Sequence, residues 1–140
     1  MLHIKVPATS ANMGPGFDCA GIALQLYNEI WVETIPSGIE ISSKTNENIP
    51  KDESNLIYST IRDFYEAENI PMPGIRLIQD DHIPMTRGLG SSAACIVGGL
   101  IAANILSGKN YSKDELAQKA AKLEGHPDNS NPAIFGDMII

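Results

Sequence analysis

The stretch SSAACIVGGLIAANIL, Ser91 to Leu106, carries no charged side chain. Its composition predicts a helix that is apolar nearly all round. Such a helix cannot lie at a surface with one side in water, so the rest of the chain must bury it. Gly108 is a stop signal just past its end. The segment before it, IPMTRGLG (Ile83 to Gly90), puts a proline, an arginine and two glycines at the mouth of this buried helix.

The other elements follow from periodicity and punctuation. Leu2 to Val6 alternates as a short strand and stops at Pro7. Pro7 to Gly21 is rich in Gly, Pro, Ser, Thr and Asn and reads as an ordered loop. Ile22 to Ile35 is rich in strand formers, the PSG after it predicts a turn, and Ile39 to Ser42 reads as the returning arm of a hairpin. Asn55 to Glu68 reads as a helix, capped by Ser54 or Asn55 and followed by Pro71. Leu56, Ile57, Ile61, Phe64 and Tyr65 form its apolar stripe. Ile75 to Gln79 is a strand. SKDE, Ser112 to Glu115, is a capping box for a helix ending near Glu124 and Gly125. HPDNSNP is loop, and Ile134 onward is a last strand. The order, β-loop-ββ-α-β-loop-α-α-loop-β, is an α+β pattern.

At 140 residues the chain has the size of one domain, and 43% hydrophobic residues suffice for a core. No apolar run is long enough to cross a bilayer, and MLHIKVPATS lacks the apolar centre of a signal peptide. Cys19 and Cys95 therefore read as free thiols of a cytoplasmic protein. Ten basic residues against seventeen acidic ones, a net charge of −7, disfavour nucleic acid as a partner. They leave open the binding of a small anion by backbone N–H groups, which is indifferent to net charge.

Three stretches could carry chemistry. In RGLGSSAA, Arg87 to Ala94, glycines allow close approach to the backbone, and the start of the following helix offers unpaired N–H groups and a positive dipole end. The pattern fits a phosphate site, and it equally fits a plain helix start with serine caps. It is neither a Walker A loop nor a dinucleotide fingerprint. In TSANMGPGFD, Asn12 and Asp18 offer an amide and a carboxylate on a Gly-Pro-Gly loop, and an ordinary Asx turn fits as well. In EGHPDN, Glu124 could bind magnesium and His126 could move a proton, while a helix end followed by a Pro-Asp turn explains the same residues. His3 reads as a strand residue and His82 as a solvated loop residue. Asp80-Asp81 and Lys51-Asp52-Glu53 read as solvated charge clusters and not as metal sites.

Taken together, PATSANMGPGFDCAG, DESNLIY, IPMTRGLGSSAACIVGGLIAAN and LEGHPDN…PAIFG, in that order, resemble the GHMP small-molecule kinases and, among them, the homoserine kinase branch. The resemblance covers essentially the whole chain. It implies the ribosomal protein S5 domain 2-like α+β fold of the GHMP kinase N-terminal domain over residues 1–140. It implies transfer of the ATP γ-phosphoryl group to the side-chain hydroxyl of L-homoserine, a step of threonine biosynthesis, in the cytoplasm. The implied cofactor set is ATP as co-substrate with Mg2+.

Residue by residue, Pro84, Arg87, Gly88, Leu89, Gly90, Ser91, Ser92, Ala93 and Ala94 match the phosphate-binding loop, and Asn55 matches a position near the nucleoside. Ser92 and Glu124 match the magnesium pair. Asn12, Asp18, His126 and Asn129 match positions that hold homoserine, and His126 and Asn129 stand closest to the chemistry. Asn129 is an amide where some relatives have an aspartate, so it cannot serve as a base. Ser130 and Asn131 depart from the small or aliphatic residues usual there. Family members run to about twice this length, with a C-terminal domain that carries a third glycine-rich motif. The chain is therefore expected to be an N-terminal portion and inactive alone. The sequence leaves three alternatives: a GHMP kinase for another small alcohol, a nucleotide-binding module of the same fold without turnover, and a poorly folded fragment. It also leaves open whether the protein is a homodimer.

Overall fold

The structure is a computed structural model that describes residues 1–7, 27–45, 48–82 and 91–124; for Pro7, Ser91, Ser92 and Glu124 it describes the backbone. Its elements are β1 (Leu2–Pro7), β2 (Tyr27–Ile35), β3 (Ile39–Ser43), α1 (Leu56–Ala67), β4 (Gly74–Asp81), α2 (Ser91–Ser107) and α3 (Lys113–Glu124). The loop expected over Pro7 to Gly21 beyond its first residue, the loop HPDNSNP and the strand expected from Ile134 lie outside the described residues.

The four strands form one sheet in the order β1-β2-β4-β3. β1 with β2 and β2 with β4 are antiparallel, and β3 with β4 is parallel. This corrects the expected hairpin: β2 and β3 are not neighbours, because β4 lies between them. The turn at residues 36–38 is folded over the start of β4. The Ile75 N–H donates to the Gly38 carbonyl at 3.0 Å. A Cβ at Gly74 would lie 2.6 Å from the Ser37 carbonyl carbon, so only glycine lets that turn sit there. β4 gains most from the central place. Its inward residues Ile75 and Leu77 are fully buried, and both edges of its backbone find partners. Short β3 takes the edge.

Alternation puts Ile4, Val6, Ile30, Val32, Ile41, Ile75 and Leu77 on one sheet face, in one buried cluster with the helices. α1 buries Ile57, Ile61, Phe64 and Tyr65, as the stripe predicts. Leu56 departs from the expectation and is 39% exposed. It opens the helix, and Tyr58 and Thr60 are buried instead. Asn55 is the cap: its Oδ1 accepts from the Ile57 and Tyr58 N–H groups.

α2 is the buried helix that the charge-free run demands. It lies on β1 and β2 and packs against α1 and α3. Ala93, Val97, Leu100, Ala102 and Ala103 are all at most 2% exposed. Burying Val97 and Leu100 stabilises the fold by about 1.5–3 kcal/mol each. Two adjacent glycines set its depth. A Cβ at Gly98 would meet Ile30 Cδ1 at 3.3 Å, and one at Gly99 would meet Thr60 Cβ at 2.9 Å.

The α2–α3 connection is pinned by Asn104, which is 7% exposed. Its Oδ1 accepts from the Tyr111 N–H at 2.7 Å and its Nδ2 donates to the Tyr111 carbonyl at 3.1 Å. The capping box forms as expected. The Glu115 N–H donates to Ser112 Oγ, and the Ser112 N–H donates to Glu115 Oε1.

Candidate active site

The strand register brings the end of β1, the start of β2 and the end of β4 together at one end of the sheet. β1 finishes where β2 starts, with Pro7 opposite Tyr27, and the next pair along β2 is Asn28 opposite Asp81 at the end of β4. Residues 8–26, which hold Asn12 and Asp18, therefore leave and rejoin the sheet beside the point from which residues 83–90 depart. Those residues lead into α2, whose first turn holds Ser91, Ser92, Ala93 and Ala94. α3 packs on α2 after a short connection. Glu124 is its last residue.

The first N–H groups of α2 have no partners within the helix, and its first turn has no acidic residue to occupy them. The side chains of Ala93 and Ala94 are 0% and 1% exposed and face the core. Only their backbone could meet a ligand. The burial of α2 on several sides fixes where those N–H groups point, and a fixed array of donors is what an anion site needs.

Beside this helix start, the interior turns polar. Asn28, Asn55 and Gln79 are 4%, 2% and 4% exposed. Asn55 Nδ2 donates to Gln79 Oε1 at 2.6 Å and to the Pro50 carbonyl at 3.0 Å. Gln79 Nε2 in turn donates to Asp81 Oδ2 at 3.1 Å. Asn28 Oδ1 accepts from the His82 N–H at 2.8 Å. Burial pushes the Asp81 carboxyl above its ordinary value, and the neighbouring Asp80 charge adds to this. Burial, and after it the charge of Asp81, pushes the Cys95 thiol up to about 12. Asp81 thus faces the early turns of α2. The polar line Asn55–Gln79–Asp81 runs from the cap of α1 across the end of β4 to that helix.

Several sequence expectations can be placed on this frame. Asn55 is present at the polar end, with its amide engaged in the cap and with Gln79. Ser91 and Ser92 stand in the first turn of α2, and Glu124 stands at the end of α3. Asn12, Asp18, Pro84, Arg87, Gly88, Leu89, Gly90, His126 and Asn129 lie outside the described residues.

Gln79 and Asp81 join this polar end although they lie outside the three stretches. Their signal was available: in Ile75, Leu77, Gln79, Asp81 the inward positions of one strand change from apolar to polar. His3 lies in β1 and His82 is exposed just past β4, both as expected, and each imidazole has a carboxylate partner. His3 Nε2 is 2.8 Å from Glu29 Oε1, and His82 Nε2 is 3.1 Å from Asp80 Oδ1. Asp80 and Asp81 are not one solvated cluster, because strand alternation sends them to opposite faces.

Comparison with known proteins agrees with this geometry. The family described as GHMP kinases N terminal domain matches residues 55–137. Homoserine kinase from Caldicellulosiruptor saccharolyticus is 50% identical over 99% of the chain, which spans 46% of that relative. Homoserine kinase from Clostridium botulinum (strain Langeland) is 46% identical over 99% of the chain and is likewise covered to 46%. The chain thus spans about half the length of the curated relatives it matches. Among solved structures, homoserine kinase from Cytophaga hutchinsonii matches 99% of the chain and 48% of its own, with a TM-score of 0.75 at 27% identity. A mevalonate kinase at 16% identity, TM-score 0.68, shares the fold. The chain belongs to the GHMP kinases, and its buried helix and mixed sheet are those of their N-terminal domain.

Proposed function

We propose that this chain is the ATP-binding half of an L-homoserine kinase, which moves the γ-phosphoryl group of ATP to the side-chain hydroxyl of homoserine. The observation that carries the reading is convergence. The strand register roots residues 8–26 and 83–90 at one end of the sheet, beside the start of α2. Identity of 50% to a homoserine kinase over 99% of the chain favours homoserine as acceptor.

In this reading the loop from Arg87 to Ala94, with Pro84 before it, cradles the phosphates. The Gly88 and Gly90 backbone lies against them, and the N–H groups of Ser91 to Ala94 neutralise charge that develops on the transferring oxygens. Asn55 acts near the nucleoside by setting the start of α1. Ser92 and Glu124 supply a hydroxyl and a carboxylate, the hard oxygen donors that Mg2+ takes. When bound, that ion offsets phosphate charge. Asp18 meets the homoserine ammonium, and Asn12 and Asn129 orient the rest. His126 receives or relays the hydroxyl proton. Phosphoryl transfer depends mainly on positioning and electrostatics, so an amide at position 129 is compatible with turnover.

The relatives are about twice as long, so turnover needs the groups of a second half. A chimera that joins this chain to the remainder of the Caldicellulosiruptor saccharolyticus relative tests the assignment by ADP release. Activity is expected with Mg-ATP and homoserine. Ser92→Ala and Glu124→Gln are each expected to lower kcat by at least about tenfold. Full activity in both variants would contradict the magnesium assignment.

A further inference from the structure

The sheet face turned away from the helices carries polar and charged side chains. The register there sets Glu29 of β2 directly opposite Asp80 of β4. Two carboxylates at facing positions repel each other. Lys5 stands opposite Glu29 from the other side, yet its ammonium lies over the Tyr27 ring, 5.1 Å from the centroid. The close partners of the two carboxylates are imidazoles: His3 Nε2 at 2.8 Å from Glu29 Oε1, and His82 Nε2 at 3.1 Å from Asp80 Oδ1. One ligand atom each from Glu29, Asp80 and His82 lies within 4.8 Å of the others.

We propose that Glu29, Asp80 and His82 form a binding site for a divalent ion of the zinc class, with His3 as the outer group that orients Glu29. Two carboxylate oxygens and one imidazole nitrogen make a donor set that zinc accepts, with a position left for water. Magnesium prefers oxygen alone in a strict octahedron, so the imidazole selects against it. Metal–ligand bonds of about 2.0–2.2 Å require the three donors to close in by side-chain rotation, since the strands themselves are fixed by their ladder.

The Glu29 and Asp80 side chains are 22% and 18% exposed, and that of His82 is 49% exposed. The carboxylates are therefore partly desolvated while the imidazole gives an entry path. The outer shell is built as well. His3 stacks on Trp31, with centroids 4.5 Å apart and planes at 7°, which fixes its ring beside Glu29. The ion would offset the repulsion between Glu29 and Asp80 and tie β2 to β4 just before residue 83. It lies on the sheet face opposite α2, apart from Ser92 and Glu124, and does not depend on the kinase reading.

The test is calorimetry of the metal-stripped chain with Zn2+, backed by the visible bands of Co2+ as a probe of coordination. One ion per chain is expected. Asp80→Asn and His82→Ala are each expected to weaken binding by more than about tenfold, and His3→Gln by about tenfold. Zn2+ should raise the melting midpoint of the unaltered chain and of neither Asp80→Asn nor His82→Ala. Circular dichroism in chelator establishes that these variants remain folded. The proposal is overturned if no ion binds, if Zn2+ binds equally to the folded Asp80→Asn and His82→Ala chains, or if Mg2+ displaces Zn2+ at similar concentration.

Discussion

Asn55 at the start of α1 and Gln79 on β4 share a buried hydrogen bond, Nδ2 to Oε1, at 2.6 Å. The same amide caps α1 through its oxygen. One side chain therefore fixes a helix start and satisfies a buried acceptor on the central strand. Asn55→Ala removes a cap worth about 0.5–2 kcal/mol. It also leaves Gln79 Oε1 without this donor, at a further cost of about 1–3 kcal/mol. Urea denaturation is expected to show a loss of about 2–4 kcal/mol. Asn55→Ser, which keeps a capping oxygen, should lose clearly less.

The contact of α1 with α2 rests on Gly99. An added Cβ would lie 2.9 Å from Thr60 Cβ and 3.0 Å from the Ile57 carbonyl oxygen, and the latter is backbone that cannot rotate away. Gly99→Ala is expected to destabilise by about 1–3 kcal/mol, the usual cost of overpacking. Gly98→Ala faces only the tip of Ile30 at 3.3 Å and should cost less. The order of the two denaturation midpoints checks the packing directly.

Glu68 ties the end of α1 to the α2–α3 connection. The Tyr111 hydroxyl donates to its Oε1 at 2.7 Å, and Lys119 and Lys109 lie close by. The Tyr111 hydrogen bond first, and the two lysines after it, hold the Glu68 carboxyl below its ordinary value of 4.5. A carboxylate lowered in the folded state adds stability that is complete above its unfolded value and is lost as the pH falls through its folded one. Tyr111→Phe should therefore lower stability near neutrality, and its difference from the unaltered chain should shrink as the pH drops below about 4. Urea midpoints across that range measure it.

Burial pushes the Cys95 thiol up to about 12. The thiolate, not the thiol, reacts. In a Cys19→Ser background at pH 8, labelling by a disulfide reagent should be about a thousandfold slower in the folded chain than in the unfolded one. Rapid labelling of the folded chain would show that α2 is not packed as described.

Much of the fold was legible because local patterns agreed with one another. The charge-free run from Ser91 had to be a buried helix, SKDE had to start the next one, and α1 was bounded by Asn55 and Pro71. Strand neighbours were not legible. Tyr27–Ile35 and Ile39–Ser43 have the pattern of a hairpin, and the deciding fact, that Gly74 slides under Ser37, lies far along the chain. The same non-locality hid the sites. Asp80 and Asp81 look like one acidic pair in sequence, yet one pairs with His82 on the outer face and the other joins Gln79 near α2. Glu29 meets its two histidine-bearing neighbours only through the register of β1, β2 and β4. RGLGSSAA, TSANMGPGFD and EGHPDN could be named as stretches from sequence. The rooting of residues 8–26 and 83–90 at one end of the sheet needed the topology.

The most direct test of the central claim is the acceptor preference of the chimera with the Caldicellulosiruptor saccharolyticus relative. Phosphorus NMR of reactions with Mg-ATP and either L-homoserine or mevalonate reads the product itself. The account predicts a phosphate monoester on homoserine and none on mevalonate, with the chain alone making neither. Phosphorylation of mevalonate in preference to homoserine by the folded chimera would contradict it.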